Sequence, residues 1–299
     1  MKTLFTGAAI AIVTPMNKDG SVNYDMFKKL IDYQIENGTD AIVVCGTTGE
    51  AATLTVEEHL NCISFVSNYV KKRVPVIAGT GSNCTDTAVF LSKSAEAAGA
   101  DGLLVVSPYY NKATQKGLIE HFGKIASSVD IPILLYNIPS RTGLSIAPET
   151  IKALVDRYEN IVGVKDATGD LKWTGKVAML CGERLDIYSG DDNAILPILS
   201  LGGKGVISVL SHVAPRDTHD IVEKYLSGDH KGALELQLKY LPLINALFCE
   251  VNPIPVKEAC KYIGFDCGPT RLPLTPMDDA NVTKLYNELY NVGLARTIK

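Results

Sequence analysis

Eight short apolar runs recur along the chain, each followed by a longer stretch in which apolar and polar residues repeat with helical spacing. The runs are "AAIAIVT" (8–14), "DAIVVCG" (40–46), "PVIAGTG" (75–81), "DGLLVVSP" (101–108), "PILLYNIP" (132–139), "NIVGVKD" (160–166), "LDIYSGD" (185–191) and "GVISV" (205–209). Each is of strand length, and most are rich in Val and Ile. Runs this continuously apolar suit a parallel sheet covered on both faces, because a half-solvated strand would alternate. The segments between them read as helices. "MFKKLIDYQIENG" (26–38) carries an apolar stripe and stops on Gly38, and "TDTAVFLSKSAEAAG" (85–99) offers Thr85 or Asp86 as a cap and closes on Gly99. Eight strand–helix units predict a (β/α)8 barrel rather than a doubly wound sheet. No Gly-x-Gly-x-x-Gly follows the first strand, which removes the dinucleotide-binding signature. Past residue 214 the strand signal disappears, and "DTHDIVEKYLSGDHKGALELQLKYLPLINALF" and "DANVTKLYNELYNVGL" read as helices. The expected organisation is a barrel over residues 1–225 followed by a C-terminal helical region over 226–299.

Composition narrows the class of protein. Hydrophobic residues make up 46% of the 299-residue chain and charged residues 21%, enough apolar side chains for a sizeable core. The net charge is −4, and no basic stripe is present, which argues against a nucleic-acid partner. The densest cationic run, "KKR" at 71–73, reads as a helix end, where cations suit the helix dipole. The seven cysteines form no C-x-x-C pair and are odd in number, so they read as reduced thiols of a cytoplasmic protein. The five histidines show no H-x-H or H-E-x-x-H spacing, and nothing argues for a metal. The N-terminal stretch "LFTGAAIAIV" is interrupted by Thr6 and Gly7 and preceded by one cation, so a buried first strand is a better reading than a secretion signal. No apolar run approaches the ~20 residues of a membrane span.

Barrel active sites lie at the C-terminal ends of the strands, and reading only those positions filters the candidates. They are Thr47, Thr48 and Glu50 in "GTTGE"; Tyr109 and Tyr110 in "SPYYN"; Tyr136 and Arg141 in "YNIPSRTG"; and Lys165. A lysine at a strand end can reach water at the rim or pair with its neighbour Asp166. Strand alternation instead puts Asp166 on the opposite face from Lys165. Held among apolar walls, the amine would lose solvation of its charged form and become a neutral nucleophile. Tyr136 can pack as a barrel-mouth ring or carry protons beside Lys165. The threonines of "GTTGE" can cap a helix, or the turn's backbone N–H groups can hold a carboxylate. Arg141 can be a solvated loop residue or a fork for a carboxylate. "SGDD" reads as a capped helix start, so Asp191 and Asp192 receive no role, and "LGGKGVISV", at a position where barrels often bind phosphate, is sufficiently read as a glycine-rich turn into a strand. An amine, a phenol, a hydroxyl pair and a carboxylate fork on one barrel mouth suit condensation of a keto acid through an imine.

The combination "GTTGE", "PYYN", "YNIPSRTG" and "GVKDATG", with "FTGAAIAIVTPM" near the start and "NPIPVKEAC" and "RLPLTP" near the end, resembles the dihydrodipicolinate (4-hydroxy-tetrahydrodipicolinate) synthase family of the N-acetylneuraminate lyase superfamily of Schiff-base aldolases. The resemblance spans nearly the whole chain. It implies a lyase that condenses pyruvate with L-aspartate 4-semialdehyde in lysine and diaminopimelate biosynthesis. Lys165 would form the Schiff base, and Tyr136 would give and take protons. Thr47 would pass protons between Tyr136 and Tyr110, with Tyr110 reaching in from a neighbouring subunit. Thr48 would hold the pyruvate carboxylate, the backbone of Ile207 would line the pyruvate site, and Arg141 would bind the semialdehyde carboxylate. No metal or organic cofactor is implied, and the expected assembly is a homotetramer built from dimers. N-acetylneuraminate lyase is the nearest rival. The arginine of "PSRTG" and the Thr47–Thr48 pair favour the synthase. A catalytically silent binding barrel would be expected to lose Lys165 or Tyr136. One departure concerns feedback by lysine. His59, Asn83 and Tyr109 fit the family's lysine-binding pattern, but Ala51, Val56 and Thr87 stand where sensitive members tend to carry a serine, a histidine and an acidic residue. Weak or absent inhibition is the expectation.

Overall fold

The computed structural model describes residues 3–294; residues 1–2 and 295–299, the extremities of the two expected regions, lie outside it. Eight parallel strands close into a barrel in sequence order: β1 (Gly7–Ala11), β2 (Ala41–Val44), β3 (Val76–Gly79), β4 (Gly102–Val106), β5 (Ile133–Asn137), β6 (Ile161–Asp166), β7 (Asp186–Ser189) and β8 (Gly205–Ser208), with β8 pairing back to β1. Each strand overlaps its predicted run, and the polar ends of the runs spill into the loops at the barrel mouth. The strands are buried on both faces, as parallel strands sandwiched between a filled interior and a helical layer must be.

The inner face packs Ala9, Ala11, Ala41, Val43, Ile77, Leu104, Leu134, Tyr136, Tyr188 and Ile207. The outer faces of the strands meet the helices in a larger core that includes Phe27, Ile31, Phe122, Leu154 and Val177. The helix after β1 runs Tyr24–Glu36 and ends before Gly38, whose φ of +86° suits only a residue without Cβ. The helix Val56–Val70 stops just before "KKR", and Lys72 turns to Asp101 at 2.7 Å. The cap expected from Thr85 or Asp86 is not made. The helix begins at Thr85 itself, its flanking residue Cys84 makes no capping bond, and the Thr85 hydroxyl meets His121 Nδ1 at 2.9 Å instead. After β8 come helices Pro215–Leu226, His230–Leu247, Ile254–Tyr262 and Asp279–Asn291. The segment containing the third of these returns to the barrel mouth, where Met16 N donates to Cys267 O and Asn252 reaches Thr48. Among the described residues no helix is long and apolar enough to cross a membrane.

Strand β6 carries an irregularity that matters for the site. Ile133 of β5 is opposite Ile161, but the next residue, Leu134, is opposite Gly163. Val162 is therefore an extra residue, a β-bulge, and the inside–outside alternation restarts after it.

Two of the buried histidines make acid a specific stress. His212 accepts a bond from Val13 N at Nε2 and donates from Nδ1 to Val209 O, joining the ends of β1 and β8. Burial pushes its pKa down to about 4, and burial does the same to His121. In the unfolded chain both titrate near 6.5. Between those values the unfolded state holds more protons, so stability should fall as pH drops from ~6.5, by ~1.4 kcal/mol per pH unit for each such histidine. His219 works in the opposite sense, because Asp40 raises its pKa. Its stabilising effect is already complete at ~6.5 and below, so it does not mask the loss. Denaturant midpoints measured from pH 6.5 to 5, above the range of ordinary carboxylates, should decline; a flat profile would refute the assignment.

Candidate active site

The site is organised by strand register. Tyr136 of β5 is directly opposite Lys165 of β6, and Lys165 is directly opposite Tyr188 of β7. All three project into the barrel. Nζ of Lys165 lies 4.4 Å from the centroid of the Tyr136 ring. The lysine is only 6% exposed, and among the described residues it makes no ion pair or hydrogen bond. Asp166 faces the helical layer, where Oδ1 accepts from the backbone and hydroxyl of Thr168 and Oδ2 from the hydroxyl of Thr174. Neither a solvated rim lysine nor a local Lys165–Asp166 pair describes this arrangement. A glycine makes room for the long side chain: a Cβ at Gly190 would stand 3.0 Å from Lys165 Cε.

Tyr188 was not singled out in the sequence, although it shares the inward parity of its strand. Its hydroxyl donates to Phe5 O at 2.7 Å, and its ring stacks on Phe5 at 4.3 Å between centroids. The phenol is thereby committed to the barrel floor, and burial raises its pKa. Tyr136, in contrast, lines a cavity at the barrel mouth.

That cavity measures about 460 Å³, and its lining includes Thr47, Tyr136, Ile138, Arg141 and Asn252. Arg141 lies on the short helix Pro139–Thr142 just past β5, and its Nη2 donates to Asn252 O at 3.3 Å. Thr48 is buried next to Thr47, and its hydroxyl accepts from Asn252 Nδ2 at 2.9 Å. Ile207 is buried on the inner face of β8, opposite Ala9. Tyr110 stands apart. It is 90% exposed with a φ of 74°, and it does not line its own chain's cavity, whereas Tyr109 does. Ala51, Val56, His59 and Thr87 line the same cavity with Tyr109, while Asn83 does not. His59 is held by donation from Nε2 to Gly79 O at 2.7 Å.

Sequence reasoning missed Asn252, which comes from a segment with no local chemical signal and reaches Thr48 across more than two hundred residues of chain. It also left Asp192 as part of a helix start. Asp191 does cap the short turn that follows it, but Asp192 is buried and accepts from Val209 N and Leu210 N, securing the exit of β8. Burial raises the pKa of Asp192.

The sequence profile of the Dihydrodipicolinate synthetase family matches residues 4–291. The chain belongs to this family. It is 60% identical over 291 residues to the 4-hydroxy-tetrahydrodipicolinate synthase of Lachnoclostridium phytofermentans, covering 97% of this chain and 99% of that one. Among solved structures it is similar to dihydrodipicolinate synthase from Aquifex aeolicus, with a TM-score of 0.96 and 45% identity over 98% of this chain and 100% of that one. A family member from Cyanidioschyzon merolae, solved with lysine bound, gives a TM-score of 0.96 at 40% identity over 98% and 100% of the two chains. The family's eight-stranded barrel with additional C-terminal helices is the architecture described above.

Proposed function

We propose that this chain is a 4-hydroxy-tetrahydrodipicolinate synthase, condensing pyruvate with L-aspartate 4-semialdehyde through an imine on Lys165. The observation that carries this reading is a buried, unpaired lysine in register with a cavity-lining tyrosine. The neutral amine of Lys165 adds to C2 of pyruvate. Tyr136 protonates the departing hydroxyl, and water leaves as the imine forms. The Tyr136 phenolate so formed takes a methyl proton to give the enamine, whose C3 attacks the aldehyde carbon of the second substrate. The resulting alkoxide takes a proton through Tyr136. The substrate amine then attacks C2, closes the ring and frees Lys165. Thr48 and the backbone of its turn hold the pyruvate carboxylate, and the backbone of Ile207 lines the pyruvate site. Thr47 relays protons between Tyr136 and Tyr110. The exposure of Tyr110 supports its delivery into a neighbouring subunit's site, and with it a homotetramer assembled from dimers. Seven unpaired cysteines, five of them buried, support a reducing, cytoplasmic setting.

Borohydride reduction in the presence of pyruvate, followed by mass spectrometry, tests the reading. A pyruvyl adduct on Lys165 is expected, together with turnover of aspartate semialdehyde and none of N-acetylneuraminate. A folded, pyruvate-binding enzyme without the adduct would refute it.

Arg141 lines the cavity and serves as the fork for the semialdehyde carboxylate. Losing a charge-assisted contact of this type removes roughly 1.5–3 kcal/mol. Arg141→Ala should therefore lower kcat/KM for the semialdehyde by roughly 10- to 100-fold and leave adduct formation with pyruvate nearly intact. Equal losses in both measurements would count against the role.

Feedback by lysine should be weak or absent. Among the described residues lining the cavity the only carboxylate is Glu50, and it is already paired with Lys257 at 2.5 Å. With Ala51, Val56 and Thr87 around it, a bound lysine ammonium would be desolvated without an anionic partner. Steady-state assays should show little loss of rate as lysine is added, and strong inhibition at low lysine concentration would overturn this.

A further inference from the structure

The turn carrying Thr47 and Thr48 closes on a residue in an unfavourable backbone state. Glu50 has φ 54° and ψ 34°, the left-handed region that a residue with a Cβ rarely adopts. Its N–H donates to Thr47 O at 3.1 Å and so completes the turn. The glutamate side chain is only 1% exposed, and a buried carboxylate is costly unless paired and hydrogen-bonded. Its partner comes from the far end of the chain. Lys257, in the helix Ile254–Tyr262, has a side chain 4% exposed and places Nζ 2.5 Å from Glu50 Oε1. Further bonds complete the pair: Lys257 Nζ donates to Pro269 O, and Arg271 N donates to Glu50 Oε2, each at 2.9 Å. On the neighbouring residues of the turn, Thr14 Oγ1 donates to Gly49 O at 2.7 Å and Asn252 Nδ2 to Thr48 Oγ1 at 2.9 Å.

A buried ion pair is an inefficient source of stability, since well-packed apolar residues of similar volume often do as well or better. What it supplies is a fixed length and direction at one point. Here that point is the closing residue of the turn that presents both catalytic-site threonines. We propose that the Glu50–Lys257 pair pins the Thr47–Thr48 turn in the geometry that binds the keto-acid carboxylate, with Lys257 acting as a positioning residue supplied by the C-terminal helices. The pair touches no reacting atom. This inference rests on the imine reading given above.

The test is the double variant Glu50→Gln/Lys257→Met, which removes both charges at nearly constant volume and leaves neither partner as an unpaired buried ion. It should fold and should still be trapped fully by borohydride at saturating pyruvate. The pyruvate concentration for half-maximal trapping should rise about tenfold, with kcat/KM for pyruvate falling to match, because small misplacements of a binding group carry penalties of this size or larger. KM for aspartate semialdehyde should stay within about twofold, since Arg141 is held by Asn252 and not by the pair. A purely structural role would move both substrates together or neither. Unchanged trapping and kinetics in the folded double variant would overturn the positioning role while wild-type trapping leaves the imine reading standing. Absence of a Lys165 adduct in the wild-type enzyme would overturn both. Should the double variant not fold, Glu50→Gln alone decides the matter. Its single amide oxygen can replace only one of the two carboxylate oxygens that Lys257 Nζ and Arg271 N occupy, so the pair is broken; an unchanged half-maximal pyruvate concentration there overturns the proposal, whereas a rise confined to pyruvate supports it.

Discussion

Lys165→Ala should yield a folded protein that forms no borohydride-trapped adduct with pyruvate and whose kcat falls by on the order of 10³-fold or more. The loss is large because the lysine is the bond-forming atom of every covalent intermediate, and no neighbouring amine can replace it. The fold should tolerate the change. Lys165 has no ion-pair or hydrogen-bond partner among the described residues, so its removal strands no buried carboxylate. Asp166 keeps its bonds to Thr168 and Thr174. Lys165→Arg is the sharper control. A guanidinium keeps a long side chain near the Tyr136 ring but stays protonated and cannot add to a carbonyl. Intact circular dichroism with measurable trapping at another lysine would sink the assignment.

Tyr136→Phe should lower kcat by roughly 10²- to 10⁴-fold, the usual contribution of a positioned general acid–base group. Phenylalanine keeps the ring beside Lys165 and its packing in the barrel interior, so the variant should fold and bind pyruvate. Imine formation should be slowed rather than abolished, which single-turnover trapping would resolve. The control is Tyr188→Phe on the other side of Lys165. Its hydroxyl bonds Phe5 O at the barrel floor, so its loss should remove about 1 kcal/mol of stability with little effect on turnover. A Tyr136→Phe enzyme within tenfold of wild-type kcat, or a Tyr188→Phe enzyme that loses as much rate, would reverse the roles of the two tyrosines.

Much of this was legible in the linear pattern. Parallel strands enclosed on both faces need nearly unbroken apolar runs, so the eight strands stand out, and the closed topology follows from their number and the helices between them. The polar residues at the ends of those runs had to fall at the barrel mouth, which brought Thr47, Tyr136, Arg141 and Lys165 into one short set of candidates. Helix starts were less legible. Thr85 has the composition of a cap, yet its hydroxyl is taken by His121 from the following helix, a contact between elements that no local pattern encodes.

The facing of Lys165 divides what sequence determines from what tertiary structure decides. Alternation within β6 by itself sets Lys165 and Asp166 on opposite sides, because successive Cβ atoms of a strand point to opposite faces. Which of the two enters the barrel depends on the extra residue at Val162. Ile161 packs outward, and unbroken alternation from it would have sent Lys165 outward as well; the bulge resets the parity, and Lys165 turns inward beside Tyr136. A bulge exists only in the pairing of two strands, so one strand's sequence does not announce it. The same holds for Asn252 and Lys257. Their distance from Thr48 and Glu50 along the chain leaves no periodic trace, and only the return of the C-terminal segment to the barrel mouth makes them neighbours.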